Sequence, residues 1–393
     1  MKYAVENGII DLEHVQEEIE MKEREKILEE HPYKIWQGKD GEWHTYLPDE
    51  EKGRVQRHRR TEKEIQNLIV KYWKEQRENP TIKELYEEWS TKKLERKEIV
   101  ISTKNRYDRQ FKESMTEFGK LKIKSVQPCD IEDFILDAIH EHQLTVKGYS
   151  NLRTLIYGIF KRAKSKRLVS FSITEIIKDM EISPKSFRRI HHEDDELVFM
   201  EDEHQKILSY LTNQKNDIVN LGILLLFKSG LRPGELAALK KEDIGKNLIR
   251  VNRTEIRYYD ENGKNVYEVR DFPKTEAGIR NVILPEGSEW ILKGIRRENP
   301  FGEYLFERNG KRLRTYIFTK RLETICRRLD IKRKSQNKIR KTYGTILIDS
   351  KVDESLIISQ MGHTDIRTTK GYYYKNRKNE EQKMIAINKV TAL

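Results

Sequence analysis

The chain has few cysteines and no long apolar run, and both features exclude classes of protein. Only Cys129 and Cys326 occur among 393 residues. Two distant cysteines can build neither a disulfide framework nor a thiolate metal site, which fits a reducing cytosol. The longest apolar run, residues 221–227, is far shorter than the roughly 20 residues that span a membrane. The N-terminus lacks a basic stretch followed by an apolar one, so we expect no signal peptide and a cytoplasmic protein.

The abundant features are charge and aromatic side chains. Lys and Arg number 77 against 65 Asp and Glu, a net charge of +12. Hydrophobic residues make up 36% of the chain, including 18 Tyr and 12 Phe, which supports a packed core rather than global disorder. A basic protein of this kind favours nucleic acid as a partner, because Lys and Arg displace counterions from phosphate. The alternative is a charged surface that only keeps the protein soluble.

The first 76 residues predict a small module with both helix and sheet. Residues 1–30 are highly charged and predict a helix that is either solvated or contacts a partner, rather than a core helix. Residues 31–76 predict three short strands, followed by a helix that begins at the Thr61–Glu64 capping box. The sheet carries basic and aromatic side chains that suit groove binding to DNA, although a hairpin that merely solubilises is the alternative. The candidates for DNA contact here are Lys34, Trp36, Trp43, Arg54, Arg57, Arg59 and Arg60.

Residues 80–182 predict an all-helical domain, with the clearest helices at 81–90, 103–118, 130–141 and 147–167. The last of these ends in Lys161, Arg162 and Lys164, which either complement the helix dipole or contact DNA phosphate. A linker at 182–198 follows and contains histidines and carboxylates at 188–196. Because these acidic residues are contiguous, a solvated charge run is favoured over a metal site, and a two-metal nuclease is rejected for the same reason.

Residues 197–393 predict a mainly helical domain with a β-rich insert at 248–284, whose hairpin turn is Asn262–Gly263. Gly230 can end one helix in a left-handed cap, and Pro233 suits the first turn of the next. Arg232 then lies at a helix N-terminus, where it can hold a phosphate. The alternative is a surface arginine at an ordinary helical corner.

Two further motifs lie near the C-terminus. Asn337 and Arg340 are three residues apart, which predicts that they share one helix face. Gly362 can end a helix that starts near Asp353, and Thr364 can cap the next one. Tyr372 follows His363 by nine residues and is the first of three consecutive tyrosines.

These motifs, in this order and spacing, resemble the tyrosine recombinase (phage integrase) family over about residues 200–390. Gly230–Leu231–Arg232 with Glu235 and Leu239 matches its first box. Arg340 matches the second, His-x-x-Arg, but Asn337 stands where the family has histidine. Met361–Gly362–His363 with Tyr372 matches the third. Lys274–Thr275, with Arg280 opening the next strand, resembles the family's β-hairpin lysine.

The resemblance implies a metal-independent reaction with no cofactor. Tyr372 would attack phosphorus as the 5′-hydroxyl leaves, while Tyr373 remains an alternative nucleophile. Arg232 and Arg340 would bind the non-bridging oxygens, Lys274 would act as general acid, and His363 would hydrogen-bond the phosphate. Asn337 can donate a hydrogen bond to phosphate but cannot act as a base, so water or a neighbouring lysine, Lys338 or Lys341, would take the proton. Glu235 would buttress Arg232.

The resemblance also implies the fold, mainly α with small β parts, and the roles of its regions. Residues 31–76 would be an arm-type DNA-binding domain, 80–182 a helical core-binding domain, and 197–393 the mixed α/β catalytic domain with a C-terminal tail. The partners implied are double-stranded DNA at core and arm sites and a homotetramer on DNA, with nucleoid association when bound. An excisionase or a host DNA-bending protein is a further candidate partner. The apolar tail residues, packing in cis or onto a neighbouring subunit, are Met384, Ile385, Ile387 and Val390.

Three functions compete. The arm-type module favours an integrase of a phage or conjugative transposon over a chromosome-dimer resolvase. A DNA-binding protein or repressor on the same scaffold would form no covalent adduct with DNA. A type IB topoisomerase would use the same residue types but act as a monomer without a specific site.

Overall fold

A computed structural model describes residues 12–49, 52–214, 217–260, 262–271, 278–363, 374–378 and 380–391. The chain divides into two compact units, 1–189 and 190–393. Separate apolar cores occupy residues 82–177 and residues 199–339. Within the described ranges, no helix combines the length and the apolar character that crossing a membrane requires.

The first unit contains a three-stranded sheet and seven of the described α-helices. In chain order they are α1 (Leu12–Glu29), β1 (Trp36–Gln37), β2 (Trp43–Asp49), β3 (Gly53–Arg59), α2 (Glu62–Glu78), α3 (Ile82–Glu95), α4 (Ile101–Ser114), α5 (Pro128–Glu141), α6 (Val146–Ser165) and α7 (Ile173–Asp179).

The predicted sheet and its helix are confirmed. The strands are antiparallel in the order β1-β2-β3, with Trp43 opposite Arg59. Helix α2 covers the face on which Thr45 and Leu47 are buried. Its N-terminus is closed by the predicted capping box, in which the Glu64 amide donates to Thr61 Oγ1 at 3.2 Å. Helix α1 is less solvated than predicted, because Ile27 near its end is buried and the helix packs on α2.

The helical part of this unit forms the first core. The long helix α6 lies at its centre, with Leu152, Ile156 and Phe160 buried along one side. Helices α3, α4 and α7 pack against α6. The predicted helical segments at 81–180 are therefore present, with ends shifted by a few residues.

The second unit surrounds one buried helix. Its elements are α8 (Asp194–Leu197), α9 (Glu201–Asn213), α10 (Ile218–Ser229), α11 (Pro233–Ala238), β4 (Leu248–Val251), β5 (Arg253–Tyr259), β6 (Asn265–Asp271), β7 (Arg280–Ile283), α12 (Glu289–Glu298), β8 (Glu307–Arg308), β9 (Lys311–Arg312), α13 (Thr315–Arg328), α14 (Gln336–Asp349), α15 (Glu354–Met361) and α16 (Glu380–Thr391).

Helix α10 is buried along almost its whole length, because its sequence is apolar on every side. Helices α9, α11, α12, α13 and α14 pack against it.

The predicted β-rich insert is present, with one difference. Its first extended segment, residues 248–259, is interrupted at Asn252, because β4 and β5 have different partners: Val251 pairs with Arg280 of β7, whereas Arg253 pairs with Asp271 of β6. The predicted turn joins β5 to β6, and Gly263 in it has φ +71°. The insert is thus a hairpin next to a separate two-stranded pair.

Candidate active site

Arg232 lies at the start of a helix that three neighbouring residues define. Gly230 ends α10 with φ +62°, and a Cβ there would collide with the ring of Tyr343, so glycine is required on both counts. Pro233 begins α11, as predicted, and Arg232 is its N-cap residue. The Glu235 carboxylate accepts the Arg232 amide at 2.8 Å, which completes the cap.

Glu235 is the centre of a buried ion cluster. Its carboxylate accepts hydrogen bonds from Arg232 Nη1 at 2.8 Å and from Arg280 Nη2 at 2.8 Å and Nη1 at 3.0 Å. Burial alone would raise the pKa of Glu235, but the hydrogen bonds and charge of Arg280, with the charges of Arg340 and Arg232, lower that pKa to about 2. Glu235 therefore stays ionised and orients Arg232, as predicted. Its contacts with Arg280 were not anticipated.

Arg340 joins the first and third boxes of the motif. It is 1% exposed, and its Nη1 donates to the Gly230 carbonyl at 2.6 Å. Its Nη2 donates to the Met361 carbonyl and to His363 Nε2, the latter at 3.0 Å. Arg232 Nη2 in turn donates to the next carbonyl, that of Gly362, at 2.9 Å. Two guanidinium groups and one imidazole thus converge on the end of α15.

The end of α15 can hold two arginines because helix C-termini leave carbonyls without partners in the helix. Gly362 has φ +59° and ends α15 in the predicted left-handed cap, and Asp353 caps its start. Gln360 of α15 binds β7 through both polar atoms of its side-chain amide. Nε2 donates to the Ile283 carbonyl at 2.8 Å, and Oε1 accepts the Ile283 amide at 3.0 Å. Sequence reasoning missed Gln360, because its partner lies 77 residues away.

His363 is held as the neutral imidazole. A guanidinium can only donate, so Nε2 of His363 must accept from Arg340. Burial, followed by the charges of Arg340, Arg232 and Arg280, lowers the pKa of His363 to about 3. At neutral pH the ring adds no charge to the cationic pocket, and its one N–H is on Nδ1.

The low pKa of His363 predicts how stability depends on pH. The folded-state pKa of about 3 lies below the ordinary value of 6.5, so the unfolded chain binds more protons between these values. The stability contributed by neutral His363 is present above pH 6.5 and is lost as pH falls toward 3, by up to about 1.4 kcal/mol per pH unit. Urea unfolding between pH 7.5 and 4.5 measures this effect. The free energy of unfolding should fall less steeply with decreasing pH in His363→Gln than in the wild type. Burial, followed by the charges of Arg377 and Lys228, lowers the pKa of His204 to about 4. His204 should therefore account for part of the pH dependence that remains in the variant. Equal slopes would contradict the prediction.

The other predicted catalytic residues are placed differently or not described. Asn337 lies in α14 one turn before Arg340, but its side chain is exposed whereas Arg340 is buried, so the predicted shared face does not bring the two together. Arg280 opens β7, as predicted. Lys274, Thr275, Thr364, Tyr372 and Tyr373 lie outside the described residues.

The candidate DNA-contact residues of the sheet divide between its two faces. Opposite residues in antiparallel strands point to the same side, so the register places Trp36, His44 and His58 together and Trp43 with Arg59 on the other side. The face opposite α2 is aromatic: Trp36 stacks on His44 with ring centroids 5.6 Å apart, and the Arg54 guanidinium lies 4.3 Å from the Tyr46 ring centroid. Arg57 and Arg59 point to the α2 side but are exposed, and Lys34 and Arg60 are exposed as well.

The basic cluster of α6 is partly committed to an internal ion pair. Arg162 Nη2 and Lys166 Nζ donate to the Glu88 carboxylate at 2.5 and 2.9 Å. Burial raises the pKa of Glu88, but hydrogen bonds from Lys92, Arg162 and Lys166 lower it to about 2. Lys161 and Lys164 remain exposed, so they are the better candidates for phosphate contact.

The sequence model of the phage integrase family matches residues 198–380, the range that contains the converging arginines. The ICEBs1 integrase of Bacillus subtilis (strain 168) is 23% identical over 278 residues, covering 67% of this chain and 71% of the relative. A probable integrase/recombinase of Acholeplasma phage L2 is 25% identical over 276 residues, covering 68% and 85%.

A solved structure of the Tn1549 transposon integrase in complex with transposon right end DNA matches the fold. The TM-score is 0.58 at 18% identity, with 79% of this chain and 99% of that chain covered. Residues 198–380 therefore form a domain of the phage integrase (tyrosine recombinase) family, and the chain is a tyrosine-type site-specific recombinase.

Proposed function

We propose that this recombinase moves a phage or conjugative transposon into and out of a genome, and that Tyr372 forms the 3′-phosphotyrosine. The observation that supports the assignment is the convergence of Arg232, Arg340 and His363 on the Gly362 cap. Tyr372 follows that cap by ten residues in the sequence. The integrases of ICEBs1 and Tn1549, to which the chain is similar, belong by name to mobile elements.

Each candidate then has a defined part in phosphoryl transfer. Arg232 has 38% of its side chain exposed, so it offers its guanidinium to an incoming phosphate while Glu235 fixes its plane. Arg340 binds the other non-bridging oxygen, and the phosphate takes the place of His363 as one of its acceptors. His363 donates its remaining N–H to the phosphate. Lys274 protonates the leaving 5′-oxygen.

The proton of the attacking phenol needs an acceptor other than Asn337. An unperturbed tyrosine has a pKa near 10, so loss of its proton must be assisted. Asn337 donates its amide to phosphate, and water or Lys338 takes the proton. Lys338 is half-buried, and burial and the charge of Lys341 lower its pKa, which makes it a better base than an exposed lysine.

A nicked suicide substrate that contains the cognate core site tests this proposal. We expect wild-type protein to form a covalent adduct, and peptide mass spectrometry should place the DNA on Tyr372. DNA of the same length without the core site is the control. Attachment at Tyr373 would overturn the nucleophile assignment, and absence of any adduct across pH would favour a DNA-binding protein without catalysis. Relaxation of supercoiled plasmid that lacks the site would favour a topoisomerase.

We further propose that residues 31–76 bind arm-type DNA through the face of the sheet opposite α2, and that residues 80–182 bind core DNA. The described aromatic and basic side chains on this face are Trp36, His44, Tyr46, Arg54 and His58. One strand offers a matched pair of variants, because Arg54 and Arg57 are both exposed but point to opposite faces. Arg54→Glu should weaken arm-DNA binding by roughly ten-fold or more, and Arg57→Glu by less. A larger effect of Arg57→Glu would place the DNA on the α2 side.

We also propose that the protein assembles as a homotetramer on DNA and exchanges its C-terminal tail between subunits. In α16, Met384, Ile385 and Ile387 are about 60% exposed, so the described apolar side chains of the tail are not buried in cis. The side chain of Val390 lies outside the described part of the chain. A lambda integrase tetramer bound to a Holliday junction has the same fold, with a TM-score of 0.54 at 13% identity over 88% of this chain and 96% of that one. An excisionase or host DNA-bending protein would act on this assembly.

A further inference from the structure

Arg377 holds the segment that follows the proposed nucleophile. Its side chain is buried, and Nε donates to the Phe199 carbonyl at 3.1 Å. Nη2 donates to His204 Nδ1 at 3.3 Å, which requires that nitrogen to be unprotonated. Phe199 lies two residues before α9, and His204 lies in the first turn of that helix. Arg377 thus contacts two residues that each precede it by more than 170 positions in the sequence.

The backbone of the same segment is also fixed. The Arg377 carbonyl accepts the Glu201 amide at 3.1 Å, and the Asn376 amide donates to Asp194 Oδ2 at 3.0 Å. Asp194 belongs to the charge run that the sequence predicted to be solvated, so this part of the run has a structural role. Residues 376–377 are therefore held by both side-chain and main-chain contacts.

The segment that receives Arg377 is also attached to the helix that carries Arg340. The Phe199 amide donates to Thr342 Oγ1 at 2.8 Å, and Thr342 lies two residues after Arg340. Just before that helix, Lys334 has a fully buried side chain and donates to both oxygens of Glu203 at 2.7 and 2.8 Å. Residues 199–204 consequently contact α14 and the lysine just before it through Thr342 and Lys334, and they also contact Arg377.

We propose that Arg377 is a positioning residue that sets where the nucleophile stands relative to Arg340. This inference rests on the proposed function, because it takes Tyr372 as the attacking residue. Arg377 follows Tyr372 by five residues, a tether of at most about 18 Å when fully extended. Fixing one end of so short a tether limits the volume that the phenol can sample. Such restriction matters because reacting atoms must approach within about 3–3.5 Å, and a displacement of about 1 Å can cost roughly 100-fold in rate.

The test is single-turnover adduct formation on the nicked core substrate by the full-length protein. Arg377→Ala should slow the reaction by roughly 10- to 100-fold with unchanged affinity for core DNA. Arg377→Lys keeps one donor for the Phe199 carbonyl and should recover part of the rate. Hydrogen exchange should be faster at the Glu201 amide in Arg377→Ala, because its acceptor is no longer held, but unchanged in α10.

Two controls separate positioning from general destabilisation. Arg321 is a partly buried arginine of the same unit that donates to Asp217 and Asn220, so Arg321→Ala should lower stability without slowing the folded enzyme. Asp194→Ala removes the hydrogen bond to the Asn376 amide and should slow adduct formation by a few-fold in a protein of nearly wild-type stability. Asp194→Ala thus tests whether holding residues 376–377 matters for the reaction even if Arg377→Ala folds poorly.

The outcomes distinguish this inference from the proposed function. If wild type forms an adduct and Arg377→Ala forms it at the same rate per folded molecule, the positioning role is wrong. A loss of rate in Arg321→Ala equal to that in Arg377→Ala would also overturn it. If wild type forms no adduct, the proposed function fails, and unchanged exchange at Glu201 in Arg377→Ala would show separately that Arg377 does not hold the segment.

Discussion

Arg340→Lys should slow covalent adduct formation by roughly 10²–10³-fold while core-DNA affinity changes little. Lysine keeps the positive charge, but it is a single point donor in place of a planar fork. It cannot serve the Gly230 carbonyl, the Met361 carbonyl and His363 together, as Arg340 does. The loss should therefore appear in the chemical step, where Arg340 must bind its non-bridging oxygen in a fixed orientation. Single-turnover kinetics on the nicked substrate measure it.

Arg328→Lys is the matched control for Arg340→Lys. Arg328 is exposed, and its Nη1 donates to Tyr210 at 2.7 Å on the surface of the same unit. The same change of chemistry there should leave the cleavage rate near that of wild type. A rate for Arg340→Lys within a few-fold of wild type would mean that charge alone is required at this position, and that the fork geometry has no part in transition-state stabilisation.

Glu235→Gln should destabilise the protein by about 3–5 kcal/mol, because it leaves buried arginine charge without its partner. Glutamine has nearly the same shape, but its amide NH₂ would face the donors of Arg232 and Arg280. Adduct formation by the folded fraction should slow as well, since Arg232 loses the carboxylate that orients it. Urea unfolding at pH 7 gives the first quantity, and adduct formation below the unfolding transition gives the second.

Glu303→Gln provides the comparison for Glu235→Gln. Glu303 pairs with Lys240 at 2.6 Å, but its side chain is 66% exposed. Pairs exposed to solvent typically contribute between 0 and about 1 kcal/mol, so this variant should be close to wild type. Equal losses of unfolding free energy in the two glutamine variants would mean that burial does not determine how much the Glu235 cluster stabilises the protein.

Local sequence patterns predicted much of the site because local geometry produces it. Gly230 and Gly362 are required where φ is positive, and Pro233 and Glu235 start a helix in the way their chemistry dictates. These effects act within about one helical turn, and therefore they can be recognised from spacing alone. The motif order then identified the family, because several such local patterns recur in a fixed sequence.

Contacts between distant residues could not be predicted in this way. Arg280 was expected only as the start of a strand, yet it shares Glu235 with Arg232. Asn337 and Arg340 satisfied the helical spacing, but one is exposed and the other buried, because burial depends on what packs against α14. The break at Asn252 likewise follows from which strand each segment pairs with.

The sequence by itself determined the family, the helix caps that present Arg232 and His363, and the class of chemistry. These depend on short-range steric and hydrogen-bonding preferences that each residue carries with it. Only the tertiary structure decided that one buried carboxylate serves two arginines, that His363 is neutral, and that Arg377 reaches back to Phe199. Those features depend on burial and on charges brought together from distant positions, and no local pattern encodes either.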